Sequence, residues 1–411
     1  MSRAGFDPNP PDRRGTDSLK WGKYAGRDIL PLWVADMDFA APPAVLAALE
    51  RRLAHGVLGY GTTWPALAEA VTEHLAQEYD WAVEPAWLVW LPGLVPGLNI
   101  ACRAVAGTAF VQTPVYPPFL SAPVFSGRKL ARIPLACART GNRLQWEMDH
   151  TALEAAITSP PKRKNGEHCH PHDPDDILLF CHPHNPVGRA WRRDELEWLA
   201  AFAERHDLIV CSDEIHCDLI LDEGKRHIPF AALGARAAAR SITLMAPSKT
   251  FNIPGLSAAF AVIPEAGLRQ RFVRAMSGIV PHVNVFGLVA TEAAFREGGA
   301  WRQELLACLR QNRECLEAAL TRLPPLVFAH VEASYLAWID ARALGLENPV
   351  AHFEAHGLGL SNGADFGAPG WVRLNFGCAP STLDTALHRL EHAVHSAAAG
   401  AAGTAQREIV R

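Results

Sequence analysis

Between residues 87 and 263 short apolar runs alternate with amphipathic stretches, a pattern that restricts the chain to a parallel sheet covered by helices on both faces. The runs that read as strands are Trp87 to Leu91, Ala109 to Gln112, Lys129 to Leu135, Ile177 to Cys181, Leu208 to Ser212, Ser241 to Ala246 and Ala258 to Ile263. Between two of them, Asp194 to His206 sets Leu196, Leu199, Phe202 and Ala203 on one helical stripe, with Glu195, Glu197, Glu204 and Arg205 off it, as in a crossover helix. An open α/β sheet of this kind binds its ligands beyond the carboxyl ends of its strands, so the residues that follow each strand carry the functional information.

The 411 residues exceed what one hydrophobic core usually holds, and a second unit is expected. Beyond residue 285 the pattern changes to long helical stretches, Phe286 to Arg296 and Trp301 to Arg322, followed by strand-like Val327 to Val331, Tyr335 to Ile339 and Trp371 to Phe376. The expected organisation is an N-terminal arm with part of the small domain in residues 1–50 and a large domain in 51–285. A small α+β domain in 286–395 and a frayed tail in 396–411 complete it. Ser159 to Asp176 reads as a polar loop.

A net charge of −4 supplies no field that would recruit nucleic acid or an anionic membrane, which leaves a small molecule as the expected partner. No apolar run reaches membrane-spanning length, and the first residues have no signal-peptide core, so the expected location is the cytoplasm. The nine cysteines, an odd count scattered mostly through apolar segments, read as buried reduced thiols. His168, Cys169, His170 and His172 crowd near Cys181, His182 and His184, but no two-plus-two ligand spacing is evident and no metal is expected.

The strand-end loops are chemically distinctive. Ser248-Lys249-Thr250-Phe251-Asn252 places a lysine where a buried strand gives way to a loop, and a partly desolvated amine there is suited to capture an aldehyde. Asp213, at another strand end, needs a cationic partner if it is buried; a helix cap or an arginine would serve, and so would a protonated pyridine nitrogen. Asn185, held between prolines, can donate to a fixed acceptor or simply close a turn. Tyr116 can stack on an aromatic ring or pack in the ordinary way. Gly93-Leu94-Val95 offers backbone N–H groups to an anion at a strand-to-helix turn. His216, three residues after Asp213, is near enough to serve the same site.

Tyr116, Asn185, Asp213 and Lys249 in that order on successive strand ends resemble the fold type I pyridoxal phosphate enzymes of the aspartate aminotransferase superfamily. Trp33-Val34-Ala35-Asp36-Met37-Asp38-Phe39, Pro183-His184-Asn185-Pro186-Val187-Gly188-Arg189, Ser212-Asp213-Glu214-Ile215-His216 and Ser248-Lys249-Thr250-Phe251-Asn252 narrow the resemblance to the MalY/PatB branch, the cystathionine β-lyase-like C–S lyases. It runs from about Phe6 to His395.

The resemblance implies a seven-stranded, mostly parallel large-domain sheet and pyridoxal 5'-phosphate bound through Lys249, with Asp213 on the pyridine nitrogen. Asn185 and His216 would lie near the phenolic oxygen, Tyr116 on the ring face, and Leu94, Val95 and Ser248 on the phosphate. Tyr60 would reach the phosphate of a neighbouring subunit in a homodimer, and Arg373 would grip the substrate α-carboxylate. Ser257 stands where many relatives carry a basic phosphate ligand. The implied activity is β-elimination from cystathionine or a related cysteine S-conjugate. Amino transfer is the alternative, and a regulatory protein-binding role, as in some members of the branch, a lesser one.

Overall fold

The computed structural model describes residues 5–158 and 176–409, with side chains described through 399. The polar loop at 159–176 falls almost entirely outside the described residues, and with it His168, Cys169, His170 and His172.

The strands in chain order are β1 (Leu88–Leu91), β2 (Ala109–Thr113), β3 (Leu130–Pro134), β4 (Ala136–Thr140), β5 (Arg143–Glu147), β6 (Ile177–Cys181) and β7 (Ile209–Asp213). After them come β8 (Ser241–Met245), β9 (Ala259–Val262), β10 (Val327–Ala329), β11 (Leu336–Asp340), β12 (Ser361–Asn362) and β13 (Trp371–Asn375). Seven of these form one sheet in the order β1-β9-β8-β7-β6-β2-β3. The pairs β8·β7, β7·β6, β6·β2 and β2·β3 are parallel, whereas β9 runs antiparallel to both β8 and β1. The sheet is therefore the α/β, fold type I arrangement expected, with all seven apolar runs in it.

The directions of these strands decide where the site forms. The carboxyl ends of β2, β6, β7 and β8 share one edge, and β1, twice reversed through β9, ends there too. The reversed β9 begins at that edge, so the segment before it, which contains Ser257, arrives at the same place. Strands β6, β8 and β9 are buried throughout, and β7 in all but its first residue, which is why they read as continuous apolar runs rather than alternating ones. Helix Arg193–Arg205 covers the sheet with Leu196, Leu199, Phe202 and Ala203. Its Glu195 is buried as well, unlike the solvated polar face its position suggests, because Arg189 Nη2 donates to both carboxylate oxygens at 2.7 and 2.8 Å.

A second sheet has the order β12-β13-β11-β10-β5-β4. Its outer hairpin, β4 and β5, comes from the middle of the chain, between two strands of the large sheet, and β5 pairs parallel with β10. Helix Gly299–Thr321 packs against the final helix, Pro380–Ile409, which continues through the segment expected to fray. A large apolar cluster including Leu309, Leu316, Leu336, Val372, Leu374 and Leu390 joins these helices to the second sheet.

The N-terminal segment is strapped between the two sheets. Residues 30–31 pair parallel with 358–359, and Asn375 Nδ2 donates to the carbonyls of Val34 and Asp36 at 2.7 Å each. From the other side, Asn252 Oδ1 accepts from Met37 N at 2.9 Å and its Nδ2 donates to the carbonyls of Met37 and Phe39. Asn252 adopts a left-handed backbone (φ +54°), a conformation asparagine tolerates better than most residues.

Candidate active site

At the shared strand edge lies a cavity of about 600 Å³. Lys249, Asp213, Asn185, Tyr116, His216, Ser248, Leu94, Val95 and Arg373 all line it, so nine of the ten residues singled out in the sequence come together. Tyr60 does not. It is fully exposed in the irregular stretch before helix Pro65–Tyr79 and lines a separate hollow with Gly61, Trp90 and His282.

Lys249 keeps some surface toward the cavity, and its Nζ donates to the Ala35 carbonyl at 2.6 Å. Burial lowers its amine to about 8; Asp36 and Asp213 oppose that shift, and the positive charge of Arg373 adds to it. Asp213 closes β7, and its Oδ1 accepts from Ile215 N at 3.2 Å. Burial raises its carboxyl to about 7, with the neighbouring Glu214 charge contributing in the same direction. His216 is buried and held down to about 3, because desolvation and the charges of Lys249 and Arg373 all disfavour imidazolium. Its Nδ1 has no hydrogen-bond partner among the described residues.

Arg373 stands in the middle of β13, opposite Trp338 on β11 and Ser361 on β12. Its Nη1 donates to Asn185 Oδ1 at 3.1 Å and its Nη2 to the Trp33 carbonyl at 2.9 Å, while its Nε has no partner among the described residues. The guanidinium lies 4.7 Å from the centre of the Phe366 ring. Burial lowers even this group to about 10. The Tyr116 and Asn185 loops are braced directly, Tyr116 N donating to the Asn185 carbonyl at 3.1 Å. Burial raises the Tyr116 phenol above its usual value.

On one side of the cavity, Gly93 (φ +150°) turns the chain from β1 into helix Leu94–Ala104, whose first N–H groups have no side-chain cap. Gly93, Leu94, Val95, Ser248 and Ser257 all border this part, which has the donors that an anion at a helix start requires. Ser257 itself sits in a left-handed conformation (φ +50°).

Several contributors were missing from the sequence reading. Ala35 supplies a backbone carbonyl, which no residue-type argument detects. Tyr335 donates to the same carbonyl at 3.1 Å, and Ser361 donates to the Trp33 carbonyl at 2.6 Å. Behind Asp213, Glu214 accepts from Ser212 Oγ at 2.7 Å and lies 2.6 Å from His227 Nε2, wholly buried. The stretch from Trp33 to Phe39 divides: Trp33, Val34 and Ala35 line the cavity, whereas Met37, Asp38 and Phe39 are buried. Asp38 there pairs with the fully buried Lys20 at 3.1 Å.

Residues 27–390 match the model of the class I and II aminotransferase family. The chain is 36% identical to cystathionine β-lyase PatB of Bacillus subtilis over an alignment of 397 positions that covers 93% of this chain and 98% of PatB. It superposes on the crystal structure of OvoB with 47% identity and a TM-score of 0.87, covering 94% of this chain and 98% of OvoB. Against cystalysin from Treponema denticola, which contains pyridoxal 5'-phosphate, the identity is 30% and the TM-score 0.85, over 95% and 99% of the two chains. The chain belongs to the class I and II aminotransferase family. Within it, the chain falls in the PatB and MalY branch.

Proposed function

We propose that this chain is a pyridoxal 5'-phosphate-dependent carbon–sulfur β-lyase that cleaves cystathionine or a related cysteine S-conjugate to a thiol, pyruvate and ammonia. The observation that carries this reading is a half-buried amine, a buried carboxylate and a buried guanidinium around one cavity, in a chain that matches PatB along nearly its whole length.

The residues present fit the cofactor. Buried Asp213, raised to about 7, would return to its ionised form beside a cationic ring nitrogen. The unpartnered Nδ1 of His216 is a buried polar atom that a ligand can satisfy. The N–H groups that open helix Leu94–Ala104, together with Ser248, suit the phosphate. Asn185 and His216 would flank the phenolic oxygen, and Tyr116 the ring face. When bound, pyridoxal phosphate supplies an aldehyde that captures an amino group and a ring that withdraws electrons from the carbon next to it.

Each protein group then has a defined task. Arg373 binds the α-carboxylate and so fixes the substrate's orientation. Lys249 Nζ, close to Ala35 O, takes the α-proton; an amine near 8 is unprotonated in useful amount close to neutrality. With the cofactor bound, Asp213 would hold a proton at its ring nitrogen. The carbon–sulfur bond then breaks, sulfur leaving with the bonding pair and taking up a proton. Hydrolysis of the remaining three-carbon enamine yields pyruvate and ammonia.

Two features of the assembled protein complete the proposal. A homodimer would set the exposed Tyr60 against the phosphate of the neighbouring site, and sedimentation velocity checks the dimer. The cytoplasm is the proposed location, and among the described residues no helix is long and apolar enough to cross a membrane. The proposed division keeps a large domain in 51–285 and a small one in 286–395.

Purified protein loaded with pyridoxal phosphate and given L-cystathionine is expected to release homocysteine and pyruvate without added keto acid. Turnover that requires a keto acid and returns an amino acid would instead make it an aminotransferase.

A further inference from the structure

The Ala35 carbonyl is shared by two donors. Lys249 Nζ donates to it at 2.6 Å and the Tyr335 hydroxyl at 3.1 Å, which occupies both lone pairs of the oxygen. Tyr335 directly precedes β11 and is fully buried, and burial and the charge of Asp36 both raise its phenol well above the ordinary value, so it keeps its proton. It does not line the cavity, and it reaches the amine through the carbonyl. The segment that carries Ala35 is fastened by other groups: Asn375 holds the carbonyls of Val34 and Asp36, Asn252 holds Met37 and Phe39, and Arg13 donates to the Met37 carbonyl and the Asp36 carboxylate.

The charge on the amine depends on every group that faces it. Asp36 and Asp213, the latter at the end of β7, favour the ammonium, whereas burial and Arg373 on β13 oppose it. His216 is held neutral near pH 7 and stands edge-on to Tyr335, with 6.2 Å between ring centres. The Ala35 carbonyl belongs with the first pair, because its negative end points at Nζ and a hydrogen bond to the charged form stabilises that form. The Tyr335 hydroxyl turns the positive end of its own O–H bond to the same oxygen. That weakens the carbonyl's hold on a positive neighbour.

We propose that Tyr335 is a positioning residue for Lys249: by occupying the second lone pair of the Ala35 carbonyl, it keeps the free amine from settling there as a trapped ammonium. The task falls in the two states in which the amine is free, before the cofactor is captured and after the substrate's amino group has taken its place. In the second of these the amine is the base. This inference rests on the base role given to Lys249, but its first test does not require turnover.

Tyr335→Phe removes the hydroxyl and keeps the ring that fills the buried space. In protein stripped of pyridoxal phosphate, the Lys249 amine is titrated by competitive acetylation with acetic anhydride at a series of pH values, and labelling of that residue is read by peptide mass spectrometry. The midpoint is expected to rise by about half to one pH unit in the variant, the scale of one neutral hydrogen bond. Placing 3-fluorotyrosine at position 335, a stronger donor of nearly the same size, should move the midpoint the other way. Cofactor uptake by the same stripped proteins should shift with the midpoint and reach the wild-type rate at its plateau. In loaded Tyr335→Phe, KM for cystathionine should stay within about twofold of wild type, because Trp33, two residues before Ala35, still accepts from Arg373 Nη2. A tyrosine that only fastened the segment would, once truncated, loosen Trp33 as well, raise KM and lower the uptake plateau. That result, or a midpoint that stays or falls in Tyr335→Phe, would overturn the proposal. Absence of pyruvate from wild-type turnover would instead overturn the lyase reading and leave the labelling result standing.

Discussion

Arg373 and Asn185 meet across the two sheets, Nη1 donating to Oδ1 at 3.1 Å. The bond ties the guanidinium on β13 to the loop after β6, so the proposed carboxylate clamp and the proposed cofactor loop are set relative to each other. Arg373→Ala is expected to lower kcat/KM on cystathionine by roughly 100-fold or more, since charge-assisted hydrogen bonds contribute about 1.5–3 kcal/mol each. Arg373→Lys should recover little, because one ammonium does not reproduce the fork that holds Asn185 and a carboxylate together. Steady-state kinetics on cofactor-loaded variants provide the check.

The amine of Lys249, lowered to about 8 by burial, captures an aldehyde only when unprotonated. Protein stripped of pyridoxal phosphate should therefore take it up faster as pH rises and reach a plateau above about 8. Stopped-flow absorbance measures this directly. Lys249→Ala should show no such absorbance change at any pH and no pyruvate release.

Asp213 titrates near 7 in the folded chain, above its ordinary 3.8. Between these values the folded form holds a proton that the unfolded form has released, so this residue's contribution to stability falls as pH rises from about 4 to about 7. Asp213→Asn removes that loss. In stripped protein the variant should melt above wild type at pH 8, by an amount on the order of a few kcal/mol at most, and the difference should close toward pH 4. Loaded with cofactor, the same variant should lose most of its activity.

Arg189 is buried between two carboxylates, Glu332 at 2.8 Å and Glu195 at 2.7 Å. Arg189→Met leaves both without their main cation, a change expected to cost about 3–5 kcal/mol. Glu332 retains Lys225 at 3.0 Å and the Ala190 N–H at 2.9 Å, which favours the lower end of that range. Urea denaturation of the two proteins gives the difference.

The centre of the large sheet was readable because β6 to β9 are buried on both faces along nearly all their length and appear as unbroken apolar runs. The β4–β5 hairpin was not, since within Ala136–Thr140 and Arg143–Glu147 only Trp146 is buried and no apolar alternation marks it. Among site residues, Lys249, Asp213, Asn185 and Tyr116 were legible because strand ends converge in this topology. Ala35 acts through its backbone, so its part in the site depends on where Asn375 and Tyr335 hold that segment, 300 or more positions away. Glu195 looked solvated by helical phase, and only its buried arginine, six positions earlier, explains its place.

Asn375, in the last strand, holds the carbonyls of the two residues on either side of Ala35, and the Ala35 carbonyl receives the Lys249 amine. During synthesis the loop bearing Lys249 emerges some 125 residues before the strand that fixes the acceptor for its amine. A nascent or prematurely terminated chain would thus carry the reactive amine without the contact that orients it.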